Sequence, residues 1–136
     1  MSFDPELFLP VARACAAPLD GVDEQASYRT ALGRAYYAPL LHIKASVERL
    51  QGPGTIREGG VHSIIFRSLK DSRVGAFLKV LETLKILRDA REQADYDLDA
   101  TELQGEEVLL HVERSRTLLT KLHTIPDDRY KNLSFS

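Results

Sequence analysis

No stretch of this chain alternates apolar and polar residues over the length of a strand, whereas apolar residues return at helical spacing along most of it. The clearest run extends from Asp23 to Leu50, where Leu32, Ala35, Tyr36, Leu40, Ile43, Val47 and Leu50 fall on one face of a helix. That face has to be covered, and with no sheet to cover it the helices must cover one another. The pattern predicts an all-α fold, an antiparallel helical bundle of four main helices plus one short helix.

Pro39 lies inside the clearest run. Proline has no N–H and costs about 3 kcal/mol in an isolated helix interior. A kink is expected there, with the Ala35 or Tyr36 carbonyl partly released; the alternative is that two helices meet at Pro39. Ahead of this run, Asp4 to Ala17 can form a short helix capped by Asp4, with Pro5 in its first turn and Phe8, Val11, Ala12 and Cys15 as its apolar contacts. Pro10 weakens or bends it, and Pro18-Leu19-Asp20-Gly21 reads as a turn.

Gln51-Gly52-Pro53-Gly54 ends the helix of the clearest run, and the glycine-rich stretch to Gly60 reads as a mobile loop, because its glycines lack the lysine and hydroxyl that follow in a phosphate-binding loop. A short third helix is expected over Val61 to Leu69. A fourth runs from Val74 to Tyr96, with Phe77, Leu78, Leu81, Leu84 and Leu87 as its buried stripe. A fifth runs from Thr101 to His123, capped by Thr101, with Leu103, Val108, Leu109, Val112, Leu118, Leu119 and Leu122 apolar. Residues 1–124 thus form one helical domain, and residues 125–136 a polar tail ordered only by contact with something else.

The net charge of −2 and pI of about 6.1 argue against general coating of nucleic acid, which needs a basic excess. A local basic patch assembled by folding is compatible with them. Cys15 is the sole cysteine, so no intrachain disulfide forms, and its alanine neighbours mark it as a small packing residue. No apolar run approaches the roughly eighteen residues of a membrane span, and the first residues lack a basic leader, so a cytoplasmic protein away from membranes is expected. His42, His62, His111 and His123 are scattered without metal-ligand spacing, so the sequence assigns no metal and no cofactor.

The informative residues end the fourth helix. Phe77, Leu84 and Arg91 project one way and Leu81, Arg88 and Asp95 beside them, so the apolar stripe turns into charge. A guanidinium there must be paired, solvated in a cleft or covered by another molecule. Arg91 and Asp95 can meet across one turn, in the less favourable order for helix support. Either they are a structural pair at a helix end, or they belong to a polar cleft for RNA, a nucleotide or a protein. Tyr36 sits on the apolar face of its helix, where it packs and sends its hydroxyl to a polar neighbour, with Asp95 and Arg91 as candidates. Arg34 is nearer solvent, and His62 opens the third helix, where it either lines a cleft or is a half-exposed residue near the helix start.

Three segments in this order carry a resemblance: Gly33-Arg34-Ala35-Tyr36-Tyr37-Ala38, Val61-His62-Ser63-Ile64-Ile65-Phe66 and Arg91-Glu92-Gln93-Ala94-Asp95-Tyr96. They resemble the Ser-Arg-Ala-Tyr-Tyr-Ala, histidine-to-phenylalanine and Arg-x-x-Ala-Asp-Tyr segments of bacterial HEPN-like proteins, over about Tyr28 to Leu122. The resemblance implies a HEPN-like bundle acting as a homodimer and associated with RNA or a nucleotide. It further implies the toxin or ribonuclease component of a toxin–antitoxin pair whose antitoxin is of nucleotidyltransferase type. Cleaving HEPN members carry an Arg-x(4–6)-His motif and need no metal. Here no histidine follows Arg88 or Arg91 until His111, and Asp95-Tyr96 stands in its place.

Cleavage by 2′-hydroxyl attack needs a proton acceptor, a task that suits histidine near neutrality better than an ionised carboxylate. The candidate catalytic residues are therefore Arg91, Asp95 and Tyr96, with Asp95 as base and Arg91 stabilising phosphorane charge. Arg88, Tyr36, Tyr37, Arg34 and His62 are the candidate binding residues. The competing expectation is a non-enzymatic helical dimer or interaction module in which the same charges only organise the bundle.

Overall fold

A computed structural model describes residues 3–97 and 102–135, and among them every regular element is helical. A 3₁₀ turn, Pro5–Leu7, leads into α1 (Phe8–Cys15), followed by α2 (Glu24–Gln51), α3 (Val61–Asp71), α4 (Gly75–Tyr96), α5 (Gly105–Thr124) and α6 (Asp127–Lys131). No helix among the described residues is long and apolar enough to cross a membrane.

Local chemistry explains most boundaries. Asp4 caps the 3₁₀ turn by accepting from the Glu6 N–H at 3.0 Å, and Asp23 caps α2 by accepting from Ala26 N–H at 2.9 Å. Pro10 falls in the first turn of α1, where its missing N–H has no partner within the helix to lose. α2 runs through Pro39 as one helix of 28 residues, so the two-helix alternative is set aside. The donor missing at Pro39 is the one that would have served the Ala35 carbonyl, and packing of α2 on its neighbours outweighs that loss.

α2 is the helix on which α1, α4, α5 and α6 pack. Cross-links fix the directions. Ser27 Oγ donates to the Cys15 carbonyl at 2.7 Å and Arg34 reaches Phe8, so α1 and α2 are antiparallel. Ala94 packs beside Tyr28 and Ala31, so α4 is antiparallel to α2. Gln25 holds both the carbonyl and the N–H of Leu103, and Arg49 pairs with Asp127 at 3.1 Å, so α5 runs alongside α2.

The core has two parts. The larger gathers Tyr36, Leu40, Ile43 and Val47 of α2 with Ile65 and Leu69 of α3, Phe77 and Leu84 of α4, and Leu118 and Leu122 of α5. The smaller, around Ala12, Ala31, Leu32, Ala35, Ala94 and Val112, is rich in alanine, which lets the helices approach closely.

Four expectations change. The segment after Ile125 is not a polar tail: it carries α6, and Ile125, Tyr130 and Leu133 are buried. Tyr130 Oη donates to the Leu122 carbonyl at 2.7 Å, and Gln51 Nε2 donates to the Tyr130 and Leu133 carbonyls, so α2 and α5 order this segment. Leu78 is 40% exposed, and Val80 takes its place in the buried stripe of α4. Leu109 is exposed, while Leu103 precedes α5 and is tied to Gln25. The loop after α2 is pinned, with Ile56 buried and Gly54 N–H donating to Glu48. The expected cap at Thr101 lies outside the described residues.

Candidate functional site

On one face of α2, Arg29, Thr30, Gly33, Arg34 and Tyr37 recur at helical spacing, and the end of α4 brings Arg91 and Asp95 opposite them. These seven residues line a cleft of roughly 340 Å³. Three guanidiniums and one carboxylate give it a positive balance in a chain of net charge −2.

Arg91 continues the buried stripe of α4, and its side chain is only 14% exposed. Its guanidinium carbon lies 5.1 Å from the Tyr37 ring centroid and 5.8 Å from that of Tyr36. Arg34 lies over Tyr37 at 5.5 Å and over Phe8 at 4.7 Å. Both cations are thus held through their faces by aromatic rings, and that contact does not use their N–H edges. Asp95 Oδ2 stands 3.2 Å from Arg91 Nε, close enough for ion pairing. The N–H is not aimed at the carboxylate, and the buried Nε has no hydrogen-bond acceptor among the described residues. Arg29 donates to the Ala94 carbonyl in the last turn of α4, where helix carbonyls lack internal partners, and this bond draws the two helix ends together.

Behind the cleft lies an aromatic stack. Gly60, at φ 84°, takes a left-handed conformation that favours glycine and starts α3, placing His62 in its first turn. His62 stacks on Tyr36 with ring centroids 5.4 Å apart and meets Tyr37 edge-on at 5.6 Å. Its Nδ1 is 2.7 Å from Tyr36 Oη. Burial pushes the Tyr36 hydroxyl well above its ordinary pKa, against the pull of Arg88 and Arg91, so it keeps its proton. Burial first, then the Arg91 and Arg88 charges, push His62 below its ordinary value, so the ring is neutral near pH 7. With the tyrosine O–H as donor, Nδ1 accepts and the ring proton sits on Nε2.

The structure therefore brings Arg34, Tyr37, Arg91 and Asp95 to one cleft. Tyr36 and His62 support it from behind and are not in its lining; the Tyr36 hydroxyl meets His62 instead of Asp95 or Arg91. Arg88 packs over Phe66 at 5.0 Å and pairs with Asp89 at 3.2 Å, away from the cleft. Tyr96 is 74% exposed and outside the lining. Gly33 stands in the first of the three segments that carry the resemblance, whereas Arg29 and Thr30 are the lining residues that sequence reasoning passed over. Their offsets of four and eight residues from Arg34 and Tyr37 were the available signal.

Elsewhere, folding joins histidines that the sequence scatters: the His42 and His123 rings lie 4.8 Å apart. Compared with known proteins, the chain matches no family model, no curated protein and no solved structure.

Proposed function

We propose that the chain is a HEPN-like RNA- or nucleotide-binding protein and that the α2–α4 cleft receives the phosphate. The observation that carries this is Arg91. Held by tyrosine faces and sharing one cleft with Arg29 and Arg34, its guanidinium offers its terminal N–H groups to an incoming anion oxygen, while Nε itself is buried beside Asp95. Arg34, held over Tyr37 and Phe8, supplies a second planar donor set, and Arg29 a third. Single-stranded RNA offers phosphates to such forks and bases that stack on guanidinium planes.

We further infer, from the HEPN resemblance alone, the role of toxin or ribonuclease in a toxin–antitoxin pair with a nucleotidyltransferase-type antitoxin. The base for cleavage is then Asp95, beside Arg91 in the cleft, because His62 stands behind it with Nδ1 engaged by the Tyr36 hydroxyl and its proton on Nε2.

The test is fluorescence anisotropy with a short single-stranded RNA over a salt series. Arg34→Ala and Arg91→Ala should each weaken binding about tenfold, the equivalent of about 1.4 kcal/mol. The wild-type log–log salt slope should be near −2, as expected for about three phosphate contacts on a single strand. No binding, or binding unaltered in both variants, refutes the proposal. Total RNA incubated in chelator beside Arg91→Ala separates cleavage from binding. Growth arrest on expression, relieved by a co-expressed nucleotidyltransferase-type protein, tests the toxin assignment.

A second reading, a non-enzymatic helical dimer, rests on a different face. Ile86 of α4 and Leu110 of α5 are 45% and 51% exposed and line the same hollow. An apolar pair of this kind at a helix–helix groove suits self-association. If Ile86→Glu converts a dimer to a monomer while the cleft variants change nothing, this reading replaces the first.

A further inference from the structure

Glu6, His42 and His123 come from the N-terminal 3₁₀ turn, the middle of α2 and the last turn of α5, and their ligand-type atoms all lie within 4.8 Å of one another. His123 Nε2 is 2.5 Å from Glu6 Oε1, and the His42 ring meets the His123 ring edge-on. The three groups stand in a groove of roughly 950 Å³, on residues remote from the arginine cleft. We propose that they form a binding site for one zinc-class divalent ion that fastens the N-terminal turn to α2 and α5.

The donor set is the first support. Two imidazoles and a carboxylate suit zinc, which binds nitrogen and oxygen at about 2.0–2.2 Å with a tetrahedral shell. Those bond lengths put neighbouring donors about 3.3–3.6 Å apart. The present cluster reaches that spacing by small side-chain movements: the Glu6–His123 contact opens by about 1 Å as the metal replaces the shared proton. Glu6 and His123 are 33% and 54% exposed, so both ends can move.

The surroundings are the second support. Asp4 lines the groove and caps the turn that presents Glu6, adding negative charge beside the site. Arg49, which opposes a cation, is held to Asp127 at 3.1 Å. Three protein ligands leave a fourth position open to the groove, where water completes the shell. None of this depends on what the arginine cleft binds.

The experiment uses the full chain, stripped with chelator and reloaded with zinc. After desalting, elemental analysis should find one zinc per chain, and cobalt in its place should give the strong visible bands of a four-coordinate ion. Glu6→Gln and His123→Gln, one at a half-buried and one at an exposed position, should each keep the wild-type helical circular dichroism and weaken zinc binding at least tenfold, while His111→Gln should not weaken it. The thermal midpoint should rise with zinc in wild type and His111→Gln only. No zinc retained after desalting, or retention equal in wild type, Glu6→Gln and His123→Gln, overturns the proposal. In that case Glu6 and His123 are an ion pair alone.

Discussion

Replacing Arg91, Tyr37 and Asp95 singly and in pairs separates two ways of holding a nearly buried guanidinium. In one, the tyrosine rings hold it; in the other, the carboxylate does. Cation–ring attraction is worth about 0.5–1 kcal/mol at exposed sites and about 2 when desolvated. With Arg91 14% exposed and 5.1 Å from the Tyr37 centroid, an Arg91–Tyr37 coupling near 1 kcal/mol is expected. The carboxylate competes poorly. Asp95 is 38% exposed, follows the arginine in the weaker i,i+4 order, and receives no aimed N–H from Nε. Its coupling should be about 0.3 kcal/mol. The assay is a double-mutant cycle by urea unfolding followed by far-UV circular dichroism, using Arg91→Ala with Tyr37→Leu and with Asp95→Asn. The cycle isolates each pair and cancels whatever relief Arg91→Ala gives by deleting an unsatisfied donor. A larger coupling to Asp95 than to Tyr37 would refute the reasoning, since Arg91 would then be a structural ion pair.

Three further outcomes are expected. Tyr36→Phe removes only the hydroxyl that meets His62 and should cost about 1 kcal/mol of stability by the same assay; a loss below a few tenths would remove the bond from the account. Gly33→Ala should stabilise α2 by about 0.5–1 kcal/mol, because a Cβ there meets nothing within 4 Å, and a destabilised variant would contradict the packing. The third concerns acid. His42, His62 and His111 all have folded pKa values below their ordinary 6.5, so the unfolded chain binds more protons in that range. Stability should therefore fall as pH drops from about 7 through 6.5 toward the folded values, and urea midpoints that stay flat or rise on acidification would oppose this.

Periodicity carried the long helices. Val74 to Tyr96 and Asp23 to Leu50 differ from the observed Gly75–Tyr96 and Glu24–Gln51 by one residue at most, because each buries a stripe several turns long. It failed where an element is too short to have a period. α6 has five residues, and what fastens it is long-range: Tyr130 and Leu133 enter the core while Gln51 holds their carbonyls. Leu78 and Val80 show the other failure, since both border the stripe of α4 and only the placement of the neighbouring helices decides which is covered. The charged end of the stripe was legible as Arg91, but its partners were not. Pairing of Tyr36 with His62 depends on the angle at which α3 leaves the Gly60 turn, and the meeting of His42, His123 and Glu6 on how the 3₁₀ turn, the middle of α2 and the end of α5 adjoin.

Nuclear magnetic resonance of the arginine side-chain N–H groups during titration with a short single-stranded RNA reaches the cleft most directly. The account predicts that the Arg91 and Arg34 guanidinium N–H signals move together and saturate with the RNA, while those of Arg116, already engaged by Glu113 at 2.8 Å on the far part of α5, stay still. Signals from Arg91 and Arg34 that remain in place while RNA binds elsewhere, or that move no more than that of Arg116, would contradict it.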